Sequence, residues 1–274
     1  FNVRTFNSLN LAMTIISSGG FLPSNSLSSI LTNDTKIIVF SFLMLTSFFS
    51  IFLSYNLIFL KNRNIHFFSE DLNLLFYFSI ILIIFFLFFN FENNFIHIFL
   101  FLTSSVSNIG LSLDDSPKNL SFIFLILIII GGSFFSTSSG IRFLKLYSLF
   151  KYSINEILSY SRPKNIYINK VLFSNIYFQE SEIYKYFLSI LIFIISLFFL
   201  TGLLSLSGID MESSFKLSIL TLMNTVNSSI YGLQEFNFYD LQFFTKFYLM
   251  FFMIIGRVEL LTLLIISKKF LFKN

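Results

Sequence analysis

Apolar residues in this chain gather into long runs, neither alternating as in a half-buried strand nor forming the stripe of a surface helix. Ile37 to Leu60, Leu72 to Phe91 and Phe187 to Leu206 each hold about the 20 residues that cross a hydrocarbon layer of about 30 Å as a helix. Two further segments are long enough but interrupted. Leu120 to Phe150 is broken by Gly131-Gly132-Ser133-Phe134-Phe135-Ser136-Thr137-Ser138-Ser139-Gly140, and Leu241 to Ile266 contains Lys246, Arg257 and Glu259. The pattern predicts a polytopic membrane protein with five spans.

Between the spans lie three apolar stretches too short to cross: Asn7 to Ile16, Phe95 to Ser104 and Ser214 to Met223. Ten helical residues reach roughly 15 Å, half the core of a bilayer. Each ends in a cluster of small or polar residues, Ile16-Ser17-Ser18-Gly19-Gly20-Phe21, Ser105-Val106-Ser107-Asn108-Ile109-Gly110 and Asn224-Thr225-Val226-Asn227-Ser228-Ser229. A half-helix followed by irregular polar backbone reads as a re-entrant loop. Such backbone persists at membrane depth only when buried in protein or lining water. Surface helices with ordinary Ser/Asn/Gly turns are the alternative, and the same order recurring three times weighs against them.

Composition agrees: 55% of the 274 residues are hydrophobic and 12% charged, against roughly a quarter charged in soluble domains. The abundance of Phe, at 43 residues, fits an AT-rich coding bias, so single Phe residues carry little functional information. With no Cys and two His, thiolate metal sites, disulfides and Cys nucleophiles are excluded, and a His-based zinc centre has little to build on. His66 and His97 fall in predicted loops, and no phosphate-binding, zinc-protease or Ser/His/Asp constellation occurs.

Charge sets the orientation. With the three clusters outside, the inner side carries twelve Lys and Arg against five acids, and the outer side five against eight. That asymmetry obeys the positive-inside rule. The net charge of +4 therefore needs no nucleic acid to explain it. Asp114 and Asp115 fall in an outer loop, and Lys145 to Lys185 is a basic inner segment with interleaved Tyr. Arg257 lies eleven residues from both Lys246 and Lys268. That puts it roughly 16 Å from each along a helix, near the bilayer centre, where a cation is costly and by default functional.

Span, half-helix, polar loop and span repeat here as in the M1-P-M2 unit of potassium-channel-like proteins. The chain resembles the TrkH branch of the Trk/Ktr/HKT cation transporter superfamily. Four pieces carry the resemblance: Ser17-Ser18-Gly19-Gly20-Phe21, Gly131-Gly132 through Gly140-Ile141-Arg142, Ser161-Arg162-Pro163, and Gly256-Arg257-Val258-Glu259. It implies an all-α fold of repeated M1-P-M2 units entered within the second repeat. Residues 1–60 would hold the pore helix, filter and M2 of repeat 2, residues 61–160 repeat 3, and residues 161–274 a cytoplasmic linker and repeat 4. The start at Phe1 is read as a truncation or processing point in a longer protein.

The function the resemblance implies is potassium uptake across a bacterial inner membrane by a multi-pass, channel-like subunit, with no enzymatic step and no cofactor beyond the transported K⁺. K⁺ would be held by filter carbonyls of Ile16, Ser17, Ser18 and Gly19, of Ser107, Asn108, Ile109 and Gly110, and of Asn224, Thr225, Val226 and Asn227. The family has Gly where this chain has Asn227, which leaves K⁺ over Na⁺ selectivity open. The gate would comprise Gly131, Gly132, Ser136, Thr137, Gly140 and Arg257. Expected partners are a second copy, a cytoplasmic TrkA-type nucleotide-binding regulatory subunit and the lipid bilayer. The rival readings are a core subunit of a respiratory or proton-translocating complex, which usually spreads ionisable residues over several mid-membrane helices, and a secondary transporter with broken helices.

Overall fold

The computed structural model describes residues 3–24, 26–51, 53, 69–88, 95–113, 120–160, 180–226, 229–233, 238–258 and 268–269. In chain order its helices are α1 (Thr5–Ser17), α2 (Asp34–Phe48), α3 (Ser69–Phe88), α4 (Phe95–Val106), α5 (Ser121–Ile129), α6 (Phe143–Ser159), α7 (Glu180–Leu206), α8 (Met211–Leu222) and α9 (Phe243–Val258). A two-residue parallel ladder, β1 (Ile130–Gly131) with β2 (Ile141–Arg142), joins α5 to α6.

Two described helices, α3 and α7, are long and apolar enough to cross a bilayer. Their outward faces are apolar as well: Phe76, Ile83 and Leu87 on α3 and Phe187, Ile195 and Phe199 on α7 are exposed. A helix apolar all round with its bare face outward suits lipid rather than water.

The three short apolar stretches form α1, α4 and α8, of 13, 12 and 12 residues. α1 packs on α2, α4 on α2 and α5, and α8 on both α7 and α9. The units are joined chiefly where α2 meets α4, with Met44 against Thr103 and Phe42 against Phe99. Ring contacts, Phe85 stacked on Phe124, Phe78 edge-on to Phe99 and Tyr77 tilted against Phe143, tie α3 to α5, α4 and α6.

The run Ile37 to Leu60 does not continue as one helix. α2 stops at Phe48, because Phe49 turns extended (φ −79°, ψ 166°) where other segments take up the backbone groups this exposes. His97 lies in the first turn of α4, half-buried, rather than in a loop. Asn227, Glu259, Asp114, Asp115, His66 and Ser161-Arg162-Pro163 lie outside the described residues, as do the distal ends of the first and last expected spans.

Candidate functional site

The C-terminal ends of α1, α4 and α8 share one backbone solution. Ser18 (φ 50°), Asn108 (φ 59°) and Asn224 (φ 51°) are left-handed, and they are the non-glycine residues with positive φ among those described. Each donates its N–H to the carbonyl three residues back, Ile15, Ser105 and Thr221 respectively. The next N–H, of Gly19, Ile109 and Thr225, reaches five residues back, to Thr14, Ser104 and Leu220, at 3.0–3.1 Å. This is the Schellman pattern, in which a left-handed residue satisfies a helix's last carbonyls. Asn tolerates that conformation better than other residues bearing a Cβ.

The shared cap fixes a register that composition alone leaves loose. Two residues beyond it stand Gly20 (φ 68°), Gly110 (φ 79°) and Val226. Counted this way, the equivalent stretches are Ser17 to Gly20, Ser107 to Gly110 and Met223 to Val226. Relative to the stretches expected from sequence, that is one residue later in the first loop and one earlier in the last. Ile16 and Ser17 still belong to α1. The three loops meet: a Cβ on Gly20 would strike the Ile109 carbonyl and the Val226 side chain, and one on Gly110 would strike the Val226 carbonyl and the Thr225 methyl.

Beyond the caps the loops diverge. In the α1 loop Thr14 Oγ1 donates to the Phe21 carbonyl (2.5 Å), and in the α4 loop Ser104 Oγ donates to the Leu111 carbonyl (2.8 Å), the same brace at the same offset. Leu220 holds that place in the α8 loop and has no hydroxyl to give. Asn224 Nδ2 instead donates to the Met253 carbonyl on α9 (3.0 Å). Ser104, Ser105, Ser107 and Asn108 are wholly buried. The Ser105 hydroxyl, both amide atoms of Asn108 and the hydroxyl of fully buried Tyr231 lack a hydrogen-bond partner among the described residues. Tyr231, in the turn Ser229–Tyr231 after the α8 loop, lies beside Ser105.

The stretch from Gly131 to Gly140 is unwound, as its composition suggested, with its neck stapled by the Ile130–Ile141 and Gly131–Arg142 pairs. It packs on the broken end of α2. Ser133 N–H donates to the Phe48 carbonyl (3.1 Å) and Ser138 N–H to the Ser47 carbonyl (3.2 Å), satisfying carbonyls that the end of α2 leaves open. Gly132 permits this approach, since a Cβ there would fall on the Phe48 carbonyl. The Ser136 hydroxyl bonds the Ser133 carbonyl, and its oxygen lies 2.9 Å from that of Ser138. The Thr137 hydroxyl lies 3.3 Å from that of Ser18, which sets the segment directly against the α1 cap.

Arg257, near the end of α9, donates to the Ser139 hydroxyl (3.1 Å) and to the Ser17 carbonyl (3.4 Å), bridging the unwound segment and the end of α1. It faces an open, mostly apolar cleft of about 610 Å³ between α1 on one side and α8 and α9 on the other, reaching Ser18, Asn224 and Val226. The unwound carbonyls are held by a different arginine. Arg142 Nη1 lies 3.0 Å from the Ser138 carbonyl, 3.1 Å from that of Ser133 and 3.2 Å from the Ser136 hydroxyl. In the sequence Arg142 closes the Gly131 to Gly140 motif and counts among the inner-side charges, without a partner assigned to it. Glu70 and Asp71 count there among the five inner-side acids.

Short helices that end in left-handed loops meet here, against an unwound segment bonded by two arginines. The chain shares the fold of the crystal structure of the potassium transporter TrkH from Vibrio parahaemolyticus, with a TM-score of 0.79 at 19% identity. The match covers 97% of this chain and 58% of the transporter, so the chain spans little more than half its length. No family model and no curated protein sequence matches.

Proposed function

We propose that this chain forms part of the wall of a K⁺ pathway in a bacterial inner membrane, as the channel-like subunit of a Trk-type uptake system. The observation that carries the reading is the meeting of three helix C-termini, each closed by the same left-handed cap. A helix C-terminus carries roughly half a negative charge. Three of them at one place favour a cation, and the carbonyls of the loops replace its water. The ion-binding backbone comprises the equivalent stretches Ser17 to Gly20, Ser107 to Gly110 and Met223 to Val226. A further M1-P-M2 unit of a longer protein would fill the cleft beside Arg257 and complete the ring. A second copy and a nucleotide-binding regulatory subunit on the basic inner side are the expected partners.

The unwound segment from Gly131 to Gly140 and Arg257 act as one barrier beneath the loops. Arg257 holds the segment through Ser139 and sets a positive charge in the path of a cation. The test is radioactive Rb⁺ uptake into proteoliposomes holding the longer protein and any required regulatory subunit. Uptake that K⁺ competes for is expected, and absence of K⁺, Rb⁺ and Na⁺ flux would overturn the proposal. Arg257→Ala and a shortened Ser133 to Ser139 segment should each raise flux without altering the K⁺/Na⁺ ratio. Combined, they should fall short of the product of the two effects, because they act on one barrier.

A further inference from the structure

Two breaks in regular structure each leave a backbone donor without a helical acceptor. The extended turn at Phe49 frees the Ser50 N–H, and the unwound segment frees the Phe134 N–H. Left bare, the buried Ser50 N–H would cost about 1–3 kcal/mol. Both donors find a carboxylate on the first turn of α3: Asp71 Oδ1 accepts from Ser50 at 2.9 Å and Glu70 Oε1 accepts from Phe134 at 2.7 Å. Neighbouring helix residues project about 100° apart, so one carboxylate could not serve both segments and two consecutive ones can. The segments also join each other, because Ile51 N–H donates to the Phe135 carbonyl (3.2 Å).

Acids in a first turn often do no more than complement the helix dipole. That role needs solvent-facing groups and no distant partner. Here Asp71 is only 3% exposed, and the bonds bridge 21 and 64 positions of sequence.

We infer that Glu70 and Asp71 are positioning residues for the barrier, a two-carboxylate latch tying the unwound segment and the broken end of α2 to the start of α3. The inference rests on the transport reading given above. Arg142 gathers the carbonyls of the segment, and Glu70 holds its Phe134 N–H. The arm bearing Phe134 cannot leave its place unless the Glu70 bond breaks, so the first turn of α3 sets the resting position of the barrier.

The test compares Glu70→Ala, Glu70→Gln and Asp71→Asn with the parent in the longer protein in proteoliposomes. Three quantities are read: Rb⁺ uptake per inserted molecule, the K⁺/Na⁺ ratio, and hydrogen exchange of the peptide covering residues 133–139. Glu70→Ala should speed exchange of the Phe134 amide by about tenfold or more, the loss of one hydrogen bond, and raise uptake severalfold at an unchanged ratio. Glu70→Gln keeps an acceptor oxygen and should fall between. Should Glu70→Ala fail to insert, the Gln variant carries the comparison. Unchanged exchange, or faster exchange with unchanged uptake in a conducting parent, would overturn the latch. A parent that conducts no cation would overturn the transport reading, and exchange alone would then decide whether Glu70 holds the segment.

Discussion

The α4 loop and the α8 loop begin alike and end differently. Both are capped by a left-handed Asn with the same two backbone bonds, yet Asn108 is wholly buried while Asn224 is half-buried at the edge of the open cleft. The α4 loop continues to Gly110 and is braced by Ser104, whereas the α8 loop continues to Val226 and carries Leu220 where the brace would start. The cap thus fixes how each helix ends, and the residues two beyond and four before it decide how firmly the following backbone is held. One local backbone solution serves two settings, and the settings are where their behaviour should part.

The largest effect should come from abolishing the difference at the glycine position. Gly110→Ala places a Cβ on the Val226 carbonyl at φ 79° and should cost about 1–3 kcal/mol of stability together with most of the Rb⁺ uptake. A melting temperature and uptake that both match the parent would mean the α4 loop is not closely packed. Ser104→Ala should come next, lowering stability by about 1 kcal/mol through loss of the bond to Leu111, as Thr14→Val should in the α1 loop. Thermal unfolding in detergent reads both, and no loss would show that the brace is incidental.

Changing the other loop should act on ions rather than on folding. Val226→Gly removes the side chain lying beside Gly20 and gives the α8 loop the residue its counterparts have at that offset. A shift of the K⁺/Na⁺ permeability ratio by about threefold or more is expected, equivalent to less than 1 kcal/mol. An identical ratio would remove Val226 from any part in selectivity. The smallest effect should be that of Tyr231→Phe. Its hydroxyl lacks a partner among the described residues, so its removal should leave stability within about 0.5 kcal/mol. A loss above 1 kcal/mol would show that the hydroxyl is bonded, to Ser105 or through water.

How much of this was readable beforehand follows the reach of the interactions involved. The unwound segment was legible because Gly131, Gly132 and Gly140 with four serines disfavour a helix locally. The short helices were legible through their length. The stop of α2 at Phe48 was not, since the run from Ile37 to Leu60 contains no breaker and the partners of the break, Asp71 and Ser133, come from elsewhere in the chain. The register of the loops was hidden for a related reason. Glycine drew attention to Gly19 and Gly110, while the left-handed residues that set the register are Ser18, Asn108 and Asn224. Arg142 and Glu70 counted as charges on one side of a membrane, and a charge tally cannot show which backbone groups a side chain meets.

The stapled neck between Ile130 and Ile141 has a consequence for how such a protein can change over generations. Because the ladder holds the two ends together, α5 and α6 are placed without reference to what lies between them. Lengthening a closed loop of about ten residues by two or three costs only a few tenths of a kcal/mol in closure entropy. Insertions and deletions between Ser133 and Ser139 therefore cost little in closure, and what they change is the segment's bonds to the end of α2, to Glu70 and to Arg257. Indel length in that window is a variable on which selection can work through those bonds while the ladder keeps the neck closed.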